Sequence, residues 1–174
     1  MEEGVDKAVI DKAAIDFGMP MGPVALADQV GLDICLHVAE SLKSSLDKPM
    51  PEINEKLRTK VEAGDIGKKS GKGFYDWSDG TPRPDPDKSG PDDLTDRLIL
   101  PMLDGCVECL RRGVARDADE VDGAMIFATG FAPFRGGPMH YARSRGTDEI
   151  RNRLKELAER HGNRFEPDPG WTDL

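Results

Sequence analysis

Long apolar runs are missing from this chain: nowhere do 18 apolar residues follow one another, so it encodes no helix of the membrane-spanning type. The amino terminus carries neither the basic segment nor the apolar segment of a secretory leader, which makes the cytoplasm the default expectation. Cysteine is scarce and odd in number. Cys35, Cys106 and Cys109 are too few for a disulfide framework and agree with a reducing compartment. Basic residues are outnumbered, 24 Lys and Arg against 33 Asp and Glu, for a net charge of −9. No local basic patch overrides that total, so nucleic acid and anionic membranes are poor partners. Strand-like alternation is absent too, and the expected fold is all-α.

What is present begins with Phe17-Gly18-Met19-Pro20-Met21-Gly22-Pro23, where two glycines and two prolines interrupt helix between apolar residues. It reads as a sharp corner between helices. A second copy follows as Gly130-Phe131-Ala132-Pro133-Phe134-Arg135-Gly136-Gly137-Pro138. The flanks agree: Ile10-Asp11-Lys12-Ala13 matches Val121-Asp122-Gly123-Ala124, and Pro23 to Gly31 is as long as Pro138 to Gly146. This is the signature of an internal repeat. A helical pattern precedes Gly113 and almost nothing precedes Gly4, so the chain is expected to begin part-way through its first repeat. The expected organisation is a first repeat over 1–77, a Pro/Asp-rich linker over 78–93 and a second repeat over 94–174.

Taken in order, the spacing predicts a helix over Val5 to Phe17, a short one over Val24 to Val30, and a third to about Leu46, capped by Asp33. The third has a core face of Leu32, Leu36, Val38, Ala39 and Leu42. Pro49 and Pro51 break the chain, and helix resumes over Glu52 to Glu62. In the second half, helices are expected over Leu94 to Arg112, then one capped by Asp117 or Asp119 that carries Val121, Met125 and Phe127 and ends near Gly130. A last helix runs to about Arg160, capped by Thr147 or Asp148, with Ile150, Leu154 and Leu157 inward. Phe165 and Trp171 in the irregular tail are candidates to dock on the core.

The chemistry-bearing patterns each have an ordinary reading. Cys106-Val107-Glu108-Cys109 has the CxxC spacing, and Cys35 with His37 offers further ligands, but a helical setting favours small core residues over metal or redox chemistry. The loop Gly67 to Gly73, with Lys68, Lys69 and Lys72, fails both G-x-x-x-x-G-K-[ST] and G-x-G-x-x-G, and reads as a solvated turn. His37, His140 and His161 lie in no motif that makes a general base. The corner residues Phe17, Met19 and Met21, with Phe131, Phe134 and Met139, suit core packing or an apolar ligand channel.

Phe17-Gly18-Met19-Pro20-Met21-Gly22-Pro23, Asp28-Gln29-Val30-Gly31-Leu32-Asp33 and Gly67-Lys68-Lys69-Ser70-Gly71-Lys72-Gly73-Phe74-Tyr75 together resemble the C-terminal domain of 3-hydroxyacyl-CoA dehydrogenases. The second copy resembles the second such domain in the α subunit of the bacterial fatty-acid oxidation complex. The resemblance implies a parent enzyme that oxidises L-3-hydroxyacyl-CoA with NAD in β-oxidation, usually beside an enoyl-CoA hydratase domain. It implies no cofactor and no catalytic residue in this fragment. The family's asparagine position reads Asp96 in Asp96-Arg97-Leu98, and the family's His-Glu pair belongs to a nucleotide-binding domain absent here. Phe17, Met19 and Met21 become the substrate-lining residues. The acyl-CoA substrate would be met through the missing domain, with a homodimer and a thiolase subunit as partners. Two other readings stand beside it: a non-catalytic helical interaction module, which an exposed apolar patch would favour, and a helical domain from a dehydrogenase of small 3-hydroxyacids.

Overall fold

In a computed structural model that describes residues 1, 3–46, 52–81 and 88–174, glycine and proline punctuation divides the described residues into eight α-helices. They are α1 (Lys7–Phe17), α2 (Pro23–Val30), α3 (Leu32–Ser45), α4 (Glu55–Glu62), α5 (Leu94–Arg111), α6 (Ala118–Thr129), α7 (Pro138–Arg145) and α8 (Thr147–His161). Among the described residues there is no strand, only isolated bridges joining Gly67 to Lys72 and Lys72 to Asp76. The all-α expectation holds. Pro49, Pro51 and residues 82–87 of the expected linker lie outside the described residues.

Two compact units result. The first comprises Met1–Ile15 and Met21–Gly90, the second Asp16–Pro20 and Pro91–Leu174. In the first, Val9, Ile10, Ala14, Val24, Ala25, Leu32 and Trp77 are buried. In the second, α5 packs on α7 and α8. Its core joins Ile99, Leu100, Leu103 and Val107 of α5 to Phe131, Met139, Ile150, Leu154 and Leu157. The tail docks as expected: Phe165 and Trp171 are buried in short 3₁₀ turns. Trp171 donates its indole N–H to Asp104 at 2.8 Å, and the Asp168 amide donates to the same oxygen at 2.7 Å. Burial raises the pKa of Asp104 above the ordinary carboxylate value despite these two bonds.

Several expected details are corrected. Asp33 does not cap α3; Gly31 holds the N-cap position at φ 112°, and the Asp33 carboxylate pairs instead with Lys69 at 2.7 Å. Neither Thr147 nor Asp148 caps α8, because Gly146 occupies that place at φ 103° and Asp148 pairs with Arg151. A left-handed glycine turns the chain between two abutting helices, a conformation that a side-chain cap residue adopts poorly. Asp117 is the cap of α6, accepting from the Glu120 amide at 2.9 Å. α4 starts at Glu55, three residues later than expected, because Asn54 caps it through the Lys56 amide. Val38 and Leu42 are exposed rather than core, and Phe127 is 92% exposed. Helical periodicity marks an apolar face but not what lies opposite it.

Candidate functional site

Each unit is built around a buried carboxylate at the amino end of a short helix. In the first, Asp11 on α1 accepts from the Val24 and Ala25 amides at 2.7 and 3.0 Å, two donors that α2 cannot satisfy internally. In the second, Asp122 on α6 accepts from the Met139 and His140 amides of α7 at 2.6 and 3.0 Å. The glycine before each helix makes room: a Cβ at Gly22 would stand 2.2 Å from the Asp11 Cβ, and one at Gly137 would stand 2.4 Å from the Asp122 Cβ. Asp11 also accepts from the Tyr75 hydroxyl at 2.8 Å. Burial drives both pKa values upward, that of Asp11 against its bonds from Val24, Tyr75 and Ala25, and that of Tyr75 with the help of the Asp11 charge.

Asp28 on α2 is fully buried and closes the loop that follows α4. Its carboxylate accepts from the Phe74 and Tyr75 amides, both at 2.8 Å, and from the Trp77 indole at 3.0 Å. Three donors thus converge on one carboxylate, which accepts at both oxygens. The lysines of this loop are held: Lys69 meets Asp33, Lys72 lies 3.3 Å from Asp65, and Lys68 sits 5.5 Å over the Trp77 ring. The loop is a packed lid on α2 rather than a phosphate cradle.

The expected substrate-lining residues are divided between the two units. Phe17 and Met19 join the core of the second unit, whereas Met21 is half-buried in the first. Phe17 lies edge-on to Phe131 and Tyr141, with ring centroids at 5.7 and 5.2 Å. The Arg135 guanidinium lies 4.1 Å from the Phe17 ring, 5.1 Å from Phe134 and 5.2 Å from Tyr141, and its Nε donates to the Phe17 carbonyl at 2.7 Å. Cation–π contacts of this kind contribute about 0.5–2 kcal/mol each. Arg135 thus ties Phe17 to the second corner across 118 residues of sequence. Sequence reasoning quoted Arg135 without giving it a role; its flanking by Phe134 and two glycines was the available signal.

The other candidates settle into packing. Cys106 is buried in α5, and burial pushes its thiol up to about 12, which keeps it protonated and unreactive at neutral pH. Among the described residues no group of three or more His, Cys, Asp or Glu is placed to hold a metal ion. His37 and His140 are exposed, and His161 Nε2 lies 3.0 Å from Asp93. Asp96 accepts from Arg145 Nη1 at 2.6 Å and from Arg153 Nε at 2.8 Å. Burial opposes ionisation of Asp96, but these two guanidinium groups outweigh it and hold the pKa below the ordinary 3.8.

The sign of that shift sets a pH dependence. A folded-state pKa below the unfolded value stabilises the fold above the unfolded value and is lost as pH falls through the folded one. The thermal midpoint of the parent is therefore expected to fall below about pH 4 more steeply than that of Asp96→Asn. Differential scanning calorimetry from pH 6 to pH 3 checks this, and parallel curves would exclude the Asp96 contribution.

In each unit of this all-helical chain a buried aspartate clamps the corner, and in the second unit α5 packs on α7 and α8. Residues 1–77 match the family model of the 3-hydroxyacyl-CoA dehydrogenase C-terminal domain. Over nearly its whole length the chain is similar to fatty acid oxidation complex subunit alpha. It is 35% identical to that of Vibrio vulnificus over 97% of this chain, and 37% identical to that of Idiomarina loihiensis over 92%. The chain spans about a quarter of each, 25% and 24%. Among solved structures, it shares the fold of 3-hydroxybutyryl-CoA dehydrogenase from Escherichia coli, with TM-score 0.76, 20% identity, and coverage of 99% of this chain and 55% of that one. The dehydrogenase part of multifunctional enzyme 1 from C. elegans is 26% identical, with TM-score 0.68, over 98% of this chain and 42% of that one. No described helix is long and apolar enough to cross a membrane.

Proposed function

We propose that this chain is the part of an NAD-dependent L-3-hydroxyacyl-CoA dehydrogenase that closes over the acyl chain and supplies a dimer-like interface, with the chemistry carried by a nucleotide-binding domain outside these residues. The observation that carries the reading is similarity along 92–97% of the chain to one quarter of the fatty acid oxidation complex α subunit. Residues 1–77 and 94–174 are two copies of one helical design joined by 78–93, and the equivalent clamps of Asp11 and Asp122 support that division. Phe17, Met19 and Met21 border the acyl chain, NAD belongs to the neighbouring domain, and a thiolase subunit is the partner in the full assembly. The cytoplasm is the compartment.

Asp96 sits where the family's asparagine is expected, and both its oxygens are taken by Arg145 and Arg153. This supports an architectural second copy with no proton to manage. The chain alone, given NAD and 3-hydroxybutyryl-CoA, is expected to produce no NADH above a blank. Substituted for the matching quarter of the Idiomarina loihiensis α subunit, it is expected to preserve 3-hydroxyacyl-CoA oxidation. NADH from the isolated chain, or a folded chimera without dehydrogenase activity, would overturn the reading.

A further inference from the structure

A recess of about 420 Å³ opens between α5 and α6 in the second unit. On α5 its wall is Met102, Cys106 and Cys109, four and then three positions apart, which helical geometry sets on one face. On α6 the wall is Val121, Ala124 and Met125, and Val114 in the turn after α5 closes one end. Four of these side chains carry sulfur, a soft and polarisable atom, and methionine reshapes itself around whatever enters. The floor is strongly desolvated, as the Cys106 thiol reports: burial pushes it up to about 12. Gly105 keeps the recess open, since a Cβ there meets nothing within 4 Å.

Charge is scarce in the same place. No lysine or arginine is among the described lining residues, and Glu120 supplies the one carboxylate. Arg116 holds that carboxylate, through its backbone amide at 2.8 Å and its Nη2 at 3.3 Å. An anionic head in the recess would therefore lie beside Glu120 without a cation of its own, an unfavourable arrangement. A hydroxyl can instead donate to a carboxylate lone pair that Arg116 leaves. Size argues against a protein occupant. The recess runs about 10 Å along α5, from Met102 to Cys109, and about 6 Å along α6, from Val121 to Met125. A patch of that extent falls far short of the ~800 Å² per partner that a stable protein interface buries. Its volume is that of a small-molecule pocket, ~300–1,000 Å³.

We propose that the recess between α5 and α6 binds a neutral aliphatic alcohol, its alkyl chain against Met102 and Met125 and its hydroxyl donating to Glu120. The site lies within the second unit and stands apart from the acyl-chain role given to Phe17, Met19 and Met21. It does not depend on the dehydrogenase reading.

The test uses the whole chain with carbon-13 in its methionine methyl groups and octanol as the probe. Octanol is expected to shift the Met102 and Met125 resonances saturably and to leave those of Met19, Met21 and Met139 in place. Octanoate is expected to need at least a tenfold higher concentration for the same shift, because its carboxylate meets Glu120. Gly105→Leu fills the recess from α5 and Ala124→Leu fills it from α6; each is expected to weaken octanol binding at least tenfold with the helical circular dichroism unchanged. Ala124 is exposed, so its variant keeps the fold even where Gly105→Leu does not. Methionine resonances that stay still, that all move together or that respond equally to octanoate overturn the proposal, as does octanol binding indifferent to Ala124→Leu. So does sedimentation equilibrium showing a dimer that Ala124→Leu dissociates, since the occupant would then be a second copy.

Discussion

Asp28→Ala is expected to release the whole Gly64-to-Trp77 loop from the first unit and to cost on the order of 3–5 kcal/mol, a large share of the stability of a small domain. The carboxylate accepts from the Phe74 and Tyr75 amides and from the Trp77 indole, so its loss leaves three inward-facing donors without that partner. The loop is also pressed too closely on α2 for water to substitute. A Cβ at Gly67 would fall 2.1 Å from the Asp28 carbonyl oxygen, and one at Gly73 would fall 2.3 Å from its Oδ1. Asp28→Asn is expected to recover part of the loss, since one amide oxygen remains to accept. The chain has two tryptophans, Trp77 in the first unit and Trp171 in the second, so 5-fluorotryptophan labelling gives each unit its own fluorine resonance. In Asp28→Ala the Trp77 resonance should move toward its solvent position while that of Trp171 stays. A parent-like Trp77 resonance and melting curve would rule out the clasp.

The second large effect concerns glycines of opposite meaning. Gly137→Ala is expected to destabilise the second unit by about 2–4 kcal/mol through a clash with the aspartate that caps α7 and through a left-handed backbone. Its φ is 107°, and the added Cβ would stand 2.4 Å from the Asp122 Cβ. Gly105→Ala, inside α5 where a Cβ meets nothing within 4 Å, is expected to be neutral or to stabilise by up to about 1 kcal/mol. Urea denaturation of the two variants beside the parent measures both. Equal midpoints for the pair would show that the close approach at Gly137 relaxes. Gly22 in the first unit separates the two causes, because its φ of −72° suits any residue and only the 2.2 Å approach to Asp11 demands glycine.

Much of this architecture is written locally. Gly-Pro punctuation places the corners, three-four spacing places α1, α5 and α8, and the matching Asp11 and Asp122 mark equivalent points before each corner. The family resemblance rests on those same corners and on the Gly-x-Gly-Phe-Tyr ending. The inward set Ile150, Leu154 and Leu157 is legible because a long amphipathic helix has one unambiguous apolar face. Which residue caps α3 and α8 was not legible. Aspartate and threonine are good caps in isolation, but two helices meeting at a single left-handed glycine leave no residue free for the task.

The sequence by itself determined the helical class, the corners, the repeat-like correspondence between the halves and the absence of a nucleotide-binding fingerprint, because each depends on residues within a few turns of one another. Only the tertiary structure decided what those residues meet. Asp28 reaches donors 46 to 49 positions away, Arg135 reaches Phe17 across 118, and Asp96 joins Arg145 and Arg153 across 49 and 57. The same apolar spacing is core in α8 and largely exposed in α3, because burial is a property of the opposing surface: α5 packs on α8, whereas Ile34, Val38 and Leu42 of α3 remain 42–47% exposed.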